Sequence, residues 1–163
     1  MLIYGNAIDD FAKKHDIARG ATGSERTAMV FGEYFPNPAI YPDNTSLYNV
    51  TGAFFVELFG TAVFMFLIMS LTSPALPQSF RDNAAPFFIG FSVAALMSLF
   101  APITQGCLNP ARDFGPRIVA VIAGWGRVAI PGPQNGFWIY IVGPMLGAPI
   151  GGAIRDLFLE TAY

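Results

Sequence analysis

The stretch Gly106-Cys107-Leu108-Asn109-Pro110-Ala111-Arg112-Asp113-Phe114-Gly115-Pro116-Arg117 decides how this chain folds. Asn is a favoured helix N-cap and Pro a favoured first helical residue, so Asn109-Pro110 predicts an abrupt helix start. The apolar run Ile118 to Ile122 carries that helix to about residue 123, just before Gly124. At 1.5 Å per residue such an element is about 20 Å long, enough to enter a bilayer and too short to cross it. Residues 104 to 133 hold Arg112, Arg117, Arg127 and Asp113, so they cannot cross lipid as an ordinary span. Non-helical backbone at membrane depth is tolerated only where protein buries it or water fills a cavity beside it. The pattern therefore predicts a re-entrant half-helix beside an aqueous pathway.

Outward from this stretch, charge disappears. Residues 83 to 111 carry none up to Arg112, residues 128 to 154 carry none, and residues 51 to 72 carry only Glu57. About 20 apolar residues cross a hydrocarbon core of about 30 Å. Spans are predicted at about 53–71, 86–103 and 137–158, with Pro74 and Pro77 stopping the first by removing backbone donors. The fold class is thus an all-α membrane protein, with three transmembrane helices and one re-entrant half-helix at about 110–123. The membrane domain covers 53–159. A polar extramembrane segment, 1–52, precedes it; with Lys13, Lys14, Arg19 and Arg26 and the turn-rich run Phe35-Pro36-Asn37-Pro38-Ala39, it is expected to be solvated, with one short helix over 7–14.

Composition agrees. Of 163 residues 53% are hydrophobic and 12% charged, where soluble domains carry roughly a quarter. A net charge of −2 offers no footprint for nucleic acid. The single cysteine, Cys107, and single histidine, His15, leave no intrachain disulfide, no transition-metal cluster and no Ser/His or Cys/His pair. No catalytic residue, metal or cofactor is expected, and an enzyme is the wrong class. Cys107 reads as a small packing residue and His15 as a solvated one.

The half-helix brings its own chemistry. A helix N-terminus carries about +0.5 charge, and one opening at mid-bilayer turns that potential into the pathway against cations. Asn109 can cap its helix through the side-chain oxygen while its NH2 donates to a passing oxygen. Arg112, one turn on, adds five fixed donors and a permanent charge, suited to replacing the hydration of a hydroxyl and to barring cations. A carboxylate inside an apolar span needs a partner, so Glu57 either faces protein or a cavity, or snorkels to the nearby interface. Gly143, Gly147 and Gly151 form a small-xxx-small ridge for close helix contact.

Asn-Pro-Ala-Arg-Asp-Phe-Gly-Pro-Arg at 109–117 follows a span ending Ala101-Pro102-Ile103-Thr104 and precedes Gly143-Pro144-Met145-Leu146-Gly147-Ala148. In this the chain resembles the second half of an aquaporin-family (major intrinsic protein) channel, nearest the glycerol facilitator or aquaglyceroporin branch. The resemblance implies that the three spans are the family's fourth, fifth and sixth, that residues 5 to 52 are the loop before the fourth, and that Leu2-Ile3-Tyr4 ends the third. It implies a pore lined by Asn109, Pro110, Ala111 and Arg112, with Gly106 and Met97 at positions that govern selectivity. Glu57 would accept hydrogen bonds from backbone amides around Cys107 and Leu108 and so hold the loop. Asp113, a second loop-supporting residue beside Glu57, and Arg117 match the glycerol facilitators. The implied partners are glycerol or similar small neutral solutes, water, the lipid bilayer, and other channel halves or a homo-oligomer, tetrameric in the family. The implied location is integral and multi-pass, in a plasma or inner membrane.

Three positions depart from the facilitator pattern. Gly106 stands where an aromatic is common; Met97 stands where facilitators commonly have Gly and water channels often His; and Tyr140-Ile141 has an aromatic where Pro is usual, then a non-aromatic. The first expectation is a polyol such as glycerol, with water and other small neutral molecules open. Asn37-Pro38-Ala39 reads as a turn rather than the family's first signature motif, because no apolar span precedes it and Ile40-Tyr41-Pro42 stops any helix after it. The family pore needs six spans and two opposed half-helices. The chain is therefore expected to need a second half, whether as a truncated product or as a half-unit pairing antiparallel; a non-conducting membrane protein is the alternative.

Overall fold

Three apolar helices carry the fold of the computed structural model, which describes residues 5–42 and 48–160. In chain order the α-helices are α1 (Gly5–Lys14), α2 (Glu25–Ala28), α3 (Val50–Leu71), α4 (Gln78–Asn83), α5 (Ala85–Thr104), α6 (Pro110–Ala120) and α7 (Ile139–Arg155). No strand occurs among the described residues. Three helical stretches are long and apolar enough to cross a membrane: α3, α5 and Pro133–Leu159, which contains α7. The short α6 runs on into a wider π-helical turn, Val121–Trp125, broken at Gly124 where φ is 104°. The architecture of the described residues is all-helical, three long apolar helices with one shorter helix, α6, between the second and third.

Local chemistry sets the helix ends. The Asn49 side chain accepts from the Gly52 amide at 2.7 Å and starts α3, so Asn49 is a capping residue. Asn109 starts α6 in the same way, accepting from the Ala111 amide at 3.0 Å, with Pro110 as first helical residue. α7 stays helical through Pro144 and Pro149.

The glycine ridge brings α3 and α7 into backbone contact. A Cβ placed on Gly147 would lie 2.2 Å from the Leu58 carbonyl oxygen, and one on Gly151 2.0 Å from that of Ala62. Only a missing side chain permits that approach. Gly60 plays the matching part elsewhere on α3, where a Cβ would meet Leu108 Cδ2 at 2.8 Å. A loop side chain thereby reaches into the helix pair.

The segment before α3 departs from the solvated reading. α1 is present, but Gly32 to Pro38 are buried. Tyr34 packs with Ile8, Ala28, Ala120, Trp125 and Ala129, while Phe35 packs with Ala53, Cys107, Ile139 and Tyr140. Burying a loop is costly unless its backbone polar groups find partners. Here side chains from α6 and the loop after α5 supply them. Residues Leu2-Ile3-Tyr4 lie outside the described residues.

Candidate functional site

Beyond Thr104 the backbone leaves the helix with three of its next four residues left-handed: Gln105 at φ 66°, Gly106 at 64° and Leu108 at 55°. Non-glycine residues rarely sit there, so something must hold the ribbon. Glu57 does so from α3. Fully buried rather than at an interface, it accepts the Cys107 amide through Oε1 at 3.1 Å and the Leu108 amide through Oε2 at 2.9 Å. The Thr104 side chain hydrogen-bonds to it as well. With the amides taken on one side, the carbonyls of Gly106 and Cys107 meet Arg112, whose Nη1 donates to them at 2.9 and 3.3 Å.

Asn109 is exposed at the head of α6, and because its oxygen caps the helix, its NH2 remains the donor it can offer a solute. Pro110 and Ala111 follow it in the first turn. One turn on, Arg112 is 41% exposed and its Nη2 lies 2.9 Å from Glu33 Oε1. Met97 and Arg112 line one groove of about 360 Å³, together with Glu33, Asn37, Ala101 and Gln105. A second groove, also of about 360 Å³, reaches Asn109 and Pro110 from between α3 and α7, past Thr61, Phe64, Met65 and Pro144. Gly106 contributes its carbonyl and leaves space: a Cβ there would lie 3.6 Å from Met97 Cα.

Asp113 holds a different loop from the ribbon that Glu57 holds. Its Oδ1 accepts the Glu33 amide at 2.6 Å and Arg117 Nη2 at 2.7 Å, and its Oδ2 accepts Arg117 Nε at 2.9 Å. Arg117 also donates to the carbonyls of Ala129, at 2.8 Å, and Glu33, and lies over the rings of Tyr34 and Tyr140 at 4.7 and 5.5 Å. The Tyr34 amide donates to Gln105 Oε1 at 2.6 Å. Asn37 closes a turn on the Ala39 amide at 2.9 Å and donates through Nδ2 to the Ala101 carbonyl at 2.8 Å. Its motif forms a turn with no helix after it, with Asn37 and Pro38 buried and Asn37 held against the end of α5.

Sequence reasoning missed Glu33, Asn37 and Gln105 as neighbours of Arg112. A signal existed in Phe31-Gly32-Glu33-Tyr34-Phe35, an apolar and aromatic run inside an otherwise polar segment. Burial pushes the Glu33 carboxyl up to about 7, against the opposing pull of Arg112. Tyr34 is pushed up to about 12, again chiefly by burial. Among the described residues no group of three His, Cys, Asp or Glu is placed to hold a metal. The arrangement offers donors, carbonyls and apolar wall, with the guanidinium of Arg112 and the carboxyl of Glu33 facing each other in one groove.

The family profile described as "Major intrinsic protein" matches residues 23–155. The "Glycerol uptake facilitator protein" of Escherichia coli (strain K12) is 39% identical over 162 residues, covering 96% of this chain and 54% of that protein. Its namesake in Pseudomonas aeruginosa is 38% identical over 160 residues, covering 95% and 53%. The "Propanediol uptake facilitator" of Salmonella typhimurium is 34% identical over 162 residues, covering 97% and 57%. The chain spans about half the length of the curated relatives it matches.

Proposed function

The chain belongs to the major intrinsic protein family, and on that premise we propose that it forms one half of a passive, multi-pass membrane channel for small neutral solutes, glycerol or a similar polyol first, with water. The observation that carries the reading is the pairing of Arg112 with the carbonyls of Gly106 and Cys107 at the head of a half-helix whose cap, Asn109, is exposed. Carbonyls accept a hydroxyl proton, while Asn109 and Arg112 donate to its oxygen. An apolar wall at Met97 takes the carbon side, and the charge of Arg112 with the positive end of α6 turns cations back. No step makes or breaks a covalent bond, so the role is transport rather than catalysis. The similarity to glycerol and propanediol uptake facilitators supports the solute class.

Both grooves are open, and a second half-unit opposing this one would enclose them as an inverted repeat. Assembly of such units into a larger oligomer within a plasma or inner membrane fits the same reading. The test is glycerol uptake into vesicles holding this chain alone and holding it together with a complementary half from a glycerol facilitator. Uptake only with the second half supports the half-channel. Uptake by the chain alone identifies a self-pairing unit, and uptake in neither case leaves a non-conducting membrane protein.

A further inference from the structure

Glu33 lies on the loop before α3, far in sequence from α6, yet its carboxylate ends 2.9 Å from the guanidinium of Arg112. Its backbone is clamped on both sides. The Glu33 amide donates to Asp113 at 2.6 Å, its carbonyl accepts from Arg117, and the next amide, of Tyr34, donates to Gln105 at 2.6 Å. The side chain is thereby aimed into the groove that Arg112 lines. We propose that Glu33 is a specificity-determining residue of the pathway, whose carboxylate covers one edge of Arg112 and sets how much positive charge that arginine presents to a passing solute. The inference rests on the reading of Arg112 as a pathway residue.

Four charged groups face Glu33: Arg112, Asp113 and Arg117 from α6, and Glu57 from α3. Asp113 and Arg117 are paired with each other at 2.7 Å. Glu57 is tied to the Cys107 and Leu108 amides. The charge in the groove is therefore left to Glu33 and Arg112. With the carboxylate ionised the two offset each other and one guanidinium edge is occupied. With the carboxyl protonated Arg112 presents its full charge, and its Nη2 is released toward the solute. Burial places the exchange between these states at about 7, so both are reached near neutrality.

The test compares wild type, Glu33→Gln and Glu33→Asp in lipid vesicles, each with a complementary half from a glycerol facilitator supplied, across pH, reading glycerol uptake and cation leak. Wild type should exclude cations better below the transition at about 7 than above it. The expected change in the cation-to-glycerol ratio is about threefold to fivefold, the upper range of an ion pair whose arginine stays open to solvent. Glu33→Gln should hold the low-pH selectivity at every pH, and Glu33→Asp should restore a transition. A transition unchanged in Glu33→Gln overturns the proposal. A second readout stands apart from conduction: the nitrogen resonances of the Arg112 guanidinium should move through the same pH range in wild type and stay fixed in Glu33→Gln. If vesicles carry no solute under any condition, the channel reading fails while the resonances still decide on Glu33. Resonances that do not move, or move equally in both, overturn it.

Discussion

Glu57 and Leu108 stand 51 positions apart in the chain and meet at a hydrogen bond of 2.9 Å, with Cys107 beside them at 3.1 Å. One buried carboxylate thus satisfies two consecutive amides of a ribbon that has no helix to bond to. The same contact turns the Gly106 and Cys107 carbonyls toward Arg112, so the support and the candidate pathway are two sides of one strand of backbone.

Removing that support should therefore cost stability. Glu57→Leu leaves two buried amides without an acceptor, at roughly 1–3 kcal/mol each. Glu57→Gln keeps one accepting oxygen and should lose less. Melting in detergent checks the order: wild type first, then Gln, then Leu. A Leu variant as stable as wild type would show that the ribbon holds itself.

The glycine ridge predicts a position-dependent penalty. Gly147→Ala and Gly151→Ala each drive a methyl into a carbonyl oxygen of α3, at 2.2 and 2.0 Å, and backbone cannot step aside. A cost of about 1–3 kcal/mol is expected for each. Gly90→Ala meets nothing within 4 Å and should be neutral or slightly stabilising. Equal melting temperatures for the three variants would refute backbone contact between α3 and α7.

Asp113 and Arg117 form a pair with 0% and 1% of their side chains exposed. Asp113→Asn strands a buried guanidinium and should cost about 3–5 kcal/mol. Because Asp113 also accepts the Glu33 amide, the loop around residue 33 should become open to proteolysis in the variant. Pairing Asp113→Asn with Arg117→Met should recover part of the loss. Strict additivity of the two would contradict the pairing.

The sign of the pH dependence follows from Glu33. Burial raises its carboxyl from 4.5 to about 7, so the folded protein holds that proton more tightly than the unfolded chain does. Its stabilising contribution is full below about 4.5 and is lost as pH rises through about 7. The melting temperature of wild type relative to Glu33→Gln should therefore fall across that window. A rise would mean that Arg112 outweighs burial and that the carboxylate is the favoured form.

Much of this architecture was legible because its signals are local. Uncharged runs marked the spans, Asn109-Pro110 marked the start of α6, and Gly143, Gly147 and Gly151 marked a contact face. Glu57 stood out because a lone charge in an apolar helix needs a partner. The buried loop at Gly32 to Pro38 was not legible. Its burial depends on Asp113, Arg117 and Gln105, which lie 71 to 84 residues away and accept or donate to its backbone. Polar composition in the flanks hid seven buried residues that no periodicity marks. Asn37 was readable as a turn, but its reach to the Ala101 carbonyl depends on where α5 ends in space.

The central claim is that Arg112 lines a pathway for small neutral solutes and limits what passes. The direct measurement compares glycerol, larger-polyol and cation permeabilities of vesicles containing wild type and Arg112→Val, each with a complementary channel half supplied. The account predicts that wild type passes glycerol and that Arg112→Val raises the passage of cations or larger polyols relative to it. Relative permeabilities unchanged by the substitution would contradict the claim and take Arg112 out of the pathway.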